Sequence, residues 1–161
     1  MKKTIIIAEA GVNHNGNINL ALKLVDKAAE AKADYVKFQS YYTEDLVQKK
    51  LGLANYQKKN TNKLYKQYNM LKKFELSYLD HLKLIDRCKK KKIRFLSSPF
   101  DLKSIDLLKK LKLNIIKIPS GEITNIPYLR KLGALKKKII LSTGMSNLNE
   151  IKKAIKILVY A

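Results

Sequence analysis

The sequence predicts an α/β fold in which parallel strands alternate with helices. Short runs of β-branched and apolar residues recur five times along the 161 residues, and four of them lead directly into an amphipathic helical stretch. An apolar fraction of 46% and a charged fraction of 29% are typical of a folded globular domain and argue against a disordered chain. Five such units suit either a complete five-stranded, flavodoxin-like doubly wound domain or the first five units of a (β/α)₈ barrel, a fold of about 250 residues. Periodicity alone leaves both architectures open.

The predicted strands are short, apolar and bounded by Gly, Pro, Asn or Ser. Near-continuous apolar runs of this kind favour a parallel sheet that is covered on both faces. The five predicted strands are Thr4–Ala8, Tyr35–Gln39, Ile93–Ser97, Asn114–Ile118 and Lys138–Ser142.

Helix starts are indicated by capping residues. Asn17 precedes a helix predicted over Ile18–Lys32, and Ser77 with Asp80 forms a capping-box pattern before a helix over Tyr78–Lys90. In that second helix we expect a buried stripe of leucine and isoleucine, with His81 on the surface. The expected stripe of that helix is Leu79, Leu82 and Ile85. Further helices are predicted to begin at Asp101, near Asn125 and at Ser146.

A long segment, 41–74, separates the second strand from the next helix and is rich in Lys, Asn, Gln and Tyr. Long insertions in compact α/β folds are usually functional loops or lids. The alternative is a solvated excursion that contains a short helix near Leu64–Lys72. Both interpretations stay open at this point.

The net charge of +21 first suggests a nucleic acid or another polyanion as partner. However, only three of the 34 basic residues are arginine, the residue that base readout and bidentate phosphate contacts favour. The lysine runs Lys89–Lys92 and Lys136–Lys138 precede the third and fifth strands, so they predict a solvated basic face at the amino ends of the strands. A basic nucleic-acid-binding α/β module is kept as the alternative function.

Several other classes of protein are disfavoured by single residues. One cysteine, Cys88, provides neither an internal disulfide nor a cysteine-based zinc site, and the two histidines show no metal-ligand spacing. We therefore predict no metal ligand in these 161 residues. The apolar run at the start of the sequence stops at Glu9, too soon for a signal peptide or a membrane span, which predicts a cytoplasmic protein with no membrane partner.

Polar residues follow every predicted strand, and parallel strands bring such residues to one edge of a sheet. Lys37 and Gln39 share a strand face, and Lys117 lies within the fourth strand. A lysine in a strand is unfavourable without an anionic partner, so the two lysines predict a phosphate or carboxylate site. Hydroxyl donors would come from Ser98, Ser120 and Ser142. Carboxylates able to bind sugar hydroxyls or transfer protons would come from Glu9 and Glu122.

Five motifs then resemble those of the sialic acid synthase family, the N-acetylneuraminate synthases with their legionaminate and pseudaminate synthase relatives. Their order and spacing match from about Thr4 to Ile157. The motifs are IAEAGVNHNG at 7–16, VKFQ at 36–39, FLSSPF at 95–100, KIPSGE at 117–122 and LSTGM at 141–145.

The resemblance implies a (β/α)₈ barrel, of which residues 1–161 are the first five βα units. It implies condensation of phosphoenolpyruvate with an N-acylated amino sugar such as N-acetylmannosamine, with release of phosphate. Asn60 or Asn62 of the long loop is a further possible sugar contact. By resemblance, the phosphoenolpyruvate cradle is Lys37, Ser98, Lys117, Ser120 and Ser142, and the sugar-side or catalytic contacts are Glu9, Gln39 and Glu122.

The resemblance also implies a divalent metal, usually manganese, and a homodimeric enzyme. In the family, the metal-binding histidines lie on later strands of the barrel, past residue 161. The remaining barrel units and an antifreeze-like domain also come after that residue. We therefore expect this chain to be a fragment without the metal site and without synthase activity of its own. We also expect poor solubility or dimer-like association, because an open sheet exposes apolar edges.

Overall fold

Five parallel strands follow one another in the order of the sequence in the computed structural model, which describes residues 4–47 and 67–161. One sheet has the order β1-β2-β3, the second pairs β4 with β5, and β3 contacts β4. All three strand pairings are parallel. The strands are β1 Ile7–Gly11, β2 Tyr35–Ser40, β3 Arg94–Pro99, β4 Ile115–Ile118 and β5 Lys138–Leu141.

The strand order decides between the two architectures left open by periodicity. In the flavodoxin-like order, the first strand lies between the second and the third. Here β2 lies between β1 and β3, so consecutive strands are neighbours. The flavodoxin-like alternative is therefore wrong, and the chain is an α/β fold with parallel sheets in sequential order.

The predicted helices are confirmed, with small changes at their ends. Asn17 accepts hydrogen bonds from the main-chain N–H groups of Asn19 and Leu20, and Ser77 and Asp80 form the reciprocal capping box. The helices are α1 Ile18–Glu30, α2 Thr43–Leu46, α3 Gln67–Phe74, α4 Tyr78–Lys90, α5 Leu102–Lys110, α6 Ile126–Ala134 and α7 Leu148–Tyr160, with a 3₁₀ turn at Ser120–Glu122.

Two apolar cores cover the sheets. The first packs α1 and α4 against β1–β3, and the second packs α5, α6 and α7 against β4 and β5. The buried Tyr128 of α6 joins the two halves, because its hydroxyl donates to the main-chain oxygen of Pro99 at the end of β3 (2.7 Å). The helix that follows β4 is thereby held against the carboxyl end of β3, near the predicted site.

The predicted buried face of α4 is wrong. Leu79 is 64% exposed and Leu82 41% exposed, whereas His81 is fully buried, as are Leu84 and Cys88. Burial of His81 is possible because both ring nitrogens are hydrogen-bonded, Nδ1 to the main-chain oxygen of Ser77 (2.8 Å) and Nε2 to Ser40 Oγ (2.7 Å). The buried face of α4 is therefore His81, Leu84 and Cys88, whereas Ile85 of the predicted stripe is half-buried.

The long segment 41–74 is described only at its two ends. Tyr41 donates a hydrogen bond to the main-chain oxygen of Leu71 (3.0 Å), and Thr43 donates its N–H (2.9 Å) and its hydroxyl (2.7 Å) to Glu75 Oε2. These bonds join α2 to α3, whose range overlaps the predicted short helix. Residues 64–66 of that prediction lie outside the described residues, as do Asn60 and Asn62.

Within the described ranges, no helix combines the length and apolar content that crossing a bilayer requires.

At the amino ends of the strands, four lysines adopt the left-handed conformation directly after a helix. They are Lys32, Lys92, Lys112 and Lys136, with φ between 50° and 59°. Glycine is the usual residue at such a helix end.

Candidate anion-binding site at the carboxyl ends of the strands

Seven of the eight predicted site residues line one cleft of about 430 Å³, here called the carboxyl-end cleft. They come from β1, β2 and β3, from β4 and its following turn, and from the residue after β5. The cleft is completed by Gly11–Asn13, Phe100 and Pro119. Its predicted lining residues are Glu9, Lys37, Gln39, Ser98, Lys117, Ser120 and Ser142.

Lys37 occupies one side of this cleft and is held from two directions. Its ammonium lies 2.7 Å from Glu9 Oε2 and donates to Ser98 Oγ at 3.5 Å. The Lys37 side chain is only 14% exposed, whereas that of Glu9 is 52% exposed. Strand register explains the arrangement, because Glu9 pairs with Lys37 while Gln39 pairs with Ser98. The ammonium is thus fixed in position and largely removed from water.

Lys117 is the second cation of the cleft and has no carboxylate within ion-pair distance among the described residues. Its ammonium donates to the main-chain oxygen of Ile118 (3.0 Å), which also accepts the N–H of Ser142 (3.1 Å). Burial lowers the pKa of Lys117, the positive charge of Lys37 lowers it further, and Glu9 partly opposes both. A bound anion would reverse this effect by stabilising the ammonium.

Two glycines allow the loops to approach the site closely. Gly144 has φ +53°, and a Cβ there would lie 2.7 Å from Ser120 Cβ, so the loop after β5 packs directly on Ser120. Gly11 has φ +54°, and a Cβ there would lie 3.2 Å from Glu9 Oε1. Positive φ is readily adopted by glycine, which explains why these two turns can line the cleft.

Glu122 is the predicted site residue that is not among the residues lining the cleft. Its Oε2 accepts a hydrogen bond from Asn125 Nδ2 (2.7 Å), and Asn125 Oδ1 in turn caps α6 by accepting the N–H of Tyr128 (3.2 Å). The carboxylate therefore supports the start of a helix in this structure. Its catalytic role stays a prediction.

Sequence reasoning missed the polar network behind the cleft. Ser40 Oγ contacts both His81 Nε2 (2.7 Å) and Ser97 Oγ (2.6 Å), which ties β2 to β3 and α4. Asp101 accepts the N–H of Tyr42 (2.8 Å) and the hydroxyl of Ser104 (2.8 Å). Only the second contact had a local signal, since Asp101 and Ser104 have the spacing of a helix cap.

His14 supports the loop that follows β1. It is fully buried, and its Nδ1 accepts the N–H of Gly16 at 3.1 Å, which orients the loop. Burial lowers the pKa of His14, so the neutral ring is favoured. Its Nε2 has no hydrogen-bond partner in the part of the chain that the structure describes.

The metal implied by the family resemblance does not fit the described residues. Among residues 4–47 and 67–161, no group of three or more His, Cys, Asp or Glu side chains is placed to hold an ion. The cleft itself offers ammonium groups, which repel cations, and one carboxylate that is already paired with Lys37. We therefore derive no chemical step through a metal from these residues.

Comparison with known proteins identifies relatives of the whole chain. A model of the NeuB family matches residues 24–161. The chain is 56% identical to N,N'-diacetyllegionaminic acid synthase of Campylobacter jejuni, over 98% of this chain and 47% of that protein. It is 49% identical to the protein of the same name from Legionella pneumophila, over 93% of this chain and 42% of that protein. The chain thus spans about half the length of the curated relatives it matches.

Solved structures give the same result for the fold. The N-acetylneuraminic acid (sialic acid) synthetase of Leptospira borgpetersenii matches with a TM-score of 0.83 and 36% identity, over 98% of this chain and 50% of that one. A phospho-2-dehydro-3-deoxyheptonate aldolase of Thermotoga maritima matches with a TM-score of 0.66 at 11% identity, which shows a shared fold alone. The resemblance found from the five motifs is confirmed, and the chain belongs to the NeuB family.

Proposed function

We propose that this chain supplies the phosphoenolpyruvate-binding part of a synthase that condenses phosphoenolpyruvate with an N-acylated amino sugar in nonulosonate biosynthesis. The five βα units would form one side of a (β/α)₈ barrel, for which sequential parallel strands are the expected order. The single observation that carries the proposal is that two inward lysines share one cleft with three serine residues.

The charges of the cleft suit a small dianion or trianion. Lys37 and Lys117 outnumber the one lining carboxylate, Glu9, so the cleft has an excess of positive charge. Phosphoenolpyruvate carries a phosphate and a carboxylate close together, and lysines with hydroxyls and main-chain N–H groups bind such groups well. The half-buried position favours a compact anion over an extended nucleic-acid backbone, which needs exposed basic surface.

In the proposed reaction, C3 of the enol attacks the aldehyde carbon of the open-chain sugar and forms the new carbon–carbon bond. Water then adds to C2 of the former phosphoenolpyruvate, and the tetrahedral product loses phosphate by cleavage of its C2–O bond, which leaves a 2-keto acid. Lys37 and Lys117 would hold the phosphoenolpyruvate and balance its charge. Glu9 and Gln39 would bind sugar hydroxyls, and the Glu9 carboxylate, which is 52% exposed, would accept the proton of the attacking water.

For the sugar, we propose the precursor of a legionaminate-type acid. The support is the similarity to the two N,N'-diacetyllegionaminic acid synthases, which are 56% and 49% identical to this chain. Relatives named N-acetylneuraminate-9-phosphate synthase are 29–30% identical, and a pseudaminic acid synthase is 31% identical. The homodimer, the metal and the inactivity of the isolated chain stay expectations of the resemblance.

Thermal unfolding with and without phosphoenolpyruvate tests the proposal. We expect phosphoenolpyruvate to raise the Tm of the chain, since a ligand that binds only the folded state stabilises it. Lys117→Ala should abolish this rise. Lys152→Ala, which removes the same charge from an exposed position of α7, should keep it. An equal rise in both variants, or none in the unaltered chain, would refute phosphoenolpyruvate binding at this cleft.

A further inference from the structure

A second and larger cleft lies at the opposite ends of the strands. Its volume is about 900 Å³, and it is called here the amino-end cleft. The loops that enter β3, β4 and β5 form its rim, and an apolar floor includes Tyr35, Phe95 and Ile115. The cations that line it are Lys89, Arg94, Lys112, Lys136, Lys137 and Lys138, and no carboxylate is among the lining residues.

The cations of this cleft differ from lysines elsewhere on the surface. Lys27, Lys90, Lys103 and Lys131 each form an ion pair of 2.6–2.9 Å with a nearby carboxylate. Of the six cleft cations, Arg94 is the one with a carboxylate within 4 Å among the described residues, namely Asp34 at 3.7 Å. Lys136 instead donates to the main-chain oxygen of Ala161 (3.0 Å). The cleft therefore concentrates positive charge, and of its six cations only Arg94 has a side-chain carboxylate within 4 Å in the described part of the chain.

Backbone conformation provides matched positions for a test. Lys112 and Lys136 line the cleft and have φ values of 56° and 50°, in the left-handed region that costs a non-glycine residue about 1–2 kcal/mol. Lys32 and Lys92 adopt the same conformation outside the cleft lining, so this strain alone does not distinguish the cleft. Glycine at any of these positions would relieve it.

We propose that the amino-end cleft binds an oligophosphate anion, such as inorganic tripolyphosphate or a nucleoside triphosphate. Six cations at three helix-to-strand junctions suit several linked phosphates better than one, because separated side chains cannot all reach a single group. The apolar floor would accept the base of a nucleotide, whereas inorganic oligophosphate would use the rim alone. This site is separate from the phosphoenolpyruvate cleft, so the two proposals fail independently.

The chain offers a matched pair of variants for the test. Lys112→Gly/Lys136→Gly removes two cations from the cleft and relieves the strain at both positions, so the protein should fold at least as well. Lys32→Gly/Lys92→Gly removes two lysines from the same kind of left-handed position, with φ 59° and 56°, outside the cleft lining. Both variants change the net charge equally.

The measurement is binding of tripolyphosphate, ATP and adenosine to the 161-residue chain by calorimetry at fixed salt. We expect the cleft variant to weaken tripolyphosphate and ATP binding by about tenfold, and the control variant to weaken it less than twofold. If ATP binds more tightly than tripolyphosphate, the apolar floor of the cleft contacts the nucleotide base. If the two bind equally, the cleft recognises the phosphates alone. In either case phosphoenolpyruvate should not compete.

Equal weakening in the two variants would overturn the proposal, since the binding would then follow net charge. So would tight binding of a single-stranded oligonucleotide with no measurable binding of tripolyphosphate or ATP. That second result would instead favour an extended nucleic acid as the partner of the basic face.

Discussion

The two ends of the strands carry positive charge in very different ways. At the carboxyl ends, two lysines are half-buried, contact neighbouring oxygen atoms and share a small cleft with three serines. At the amino ends, six cations surround a cleft about twice as large, and five of them are exposed. Burial and directed hydrogen bonds, rather than the number of charges, therefore make the carboxyl-end cleft suited to a specific small anion. The amino-end cleft offers charge that is more numerous and less oriented.

Lys37→Ala should have the largest effect on the carboxyl-end cleft. It removes the ammonium that Glu9 and Ser98 contact and leaves equal positive and negative charge among the lining residues. We expect phosphoenolpyruvate affinity to fall about 10- to 100-fold, the range that corresponds to hydrogen bonds with charged groups. Calorimetry of Lys37→Ala beside Lys23→Ala, an exposed lysine of α1, measures this. If Lys37→Ala and Lys23→Ala bind phosphoenolpyruvate with similar affinity, the buried, hydrogen-bonded lysine of the carboxyl-end cleft is no more important for binding than an exposed one.

Gly144→Ala should come next, through the backbone of the same cleft. The new Cβ would lie 2.7 Å from Ser120 Cβ at a residue with φ +53°, so either the loop or Ser120 must move. We expect a loss of about 1–3 kcal/mol in the free energy of unfolding. Gly121→Ala is the control, because a Cβ there meets no atom within 4 Å.

Urea unfolding of both glycine variants checks this prediction. A Gly144→Ala protein as stable as Gly121→Ala would mean that the loop after β5 does not pack on Ser120 as described. The serine would then be a weaker candidate for a phosphoenolpyruvate contact.

The smallest effect is expected at the amino ends. Lys112→Gly should raise the free energy of unfolding by about 1 kcal/mol, because glycine adopts positive φ without the steric cost that lysine carries. Lys109→Gly, at the second-last residue of α5, should lower the free energy of unfolding by about the same amount, because glycine weakens a helix. Destabilisation by both changes would show that the lysine at the helix end is not strained.

Much of the fold follows from local sequence patterns. The caps at Asn17, Ser77 and Asp101 fix helix starts through contacts two or three residues away, so they can be predicted from neighbours in sequence. Strand order could not be predicted in this way, because periodicity is the same whether β1 or β2 is central. The resemblance to a family pointed to the barrel order where the residues alone did not.

The grouping of side chains in one cleft could be predicted where the position of a residue along a strand determines the direction of its side chain. Lys37, Gln39 and Lys117 point to the cleft because side chains alternate along a strand. Glu122 lies in a 3₁₀ turn, where no such alternation applies, and it caps α6 through Asn125 instead. The buried His81 was assigned to the surface because its partner Ser40 lies 41 residues away in the sequence.

The most direct test of the account is a lysine-reactivity footprint of the chain, read by mass spectrometry after brief amine labelling. We expect phosphoenolpyruvate to protect Lys117 and to leave Lys112 and Lys136 reactive. Lys117 should label readily without ligand, because its lowered pKa leaves more of the amine unprotonated. Lys37 should label slowly with or without ligand, because its side chain is only 14% exposed and is ion-paired with Glu9. Protection of Lys112 and Lys136 by phosphoenolpyruvate, or no protection of Lys117, would contradict the assignment of the carboxyl-end cleft as the phosphoenolpyruvate site.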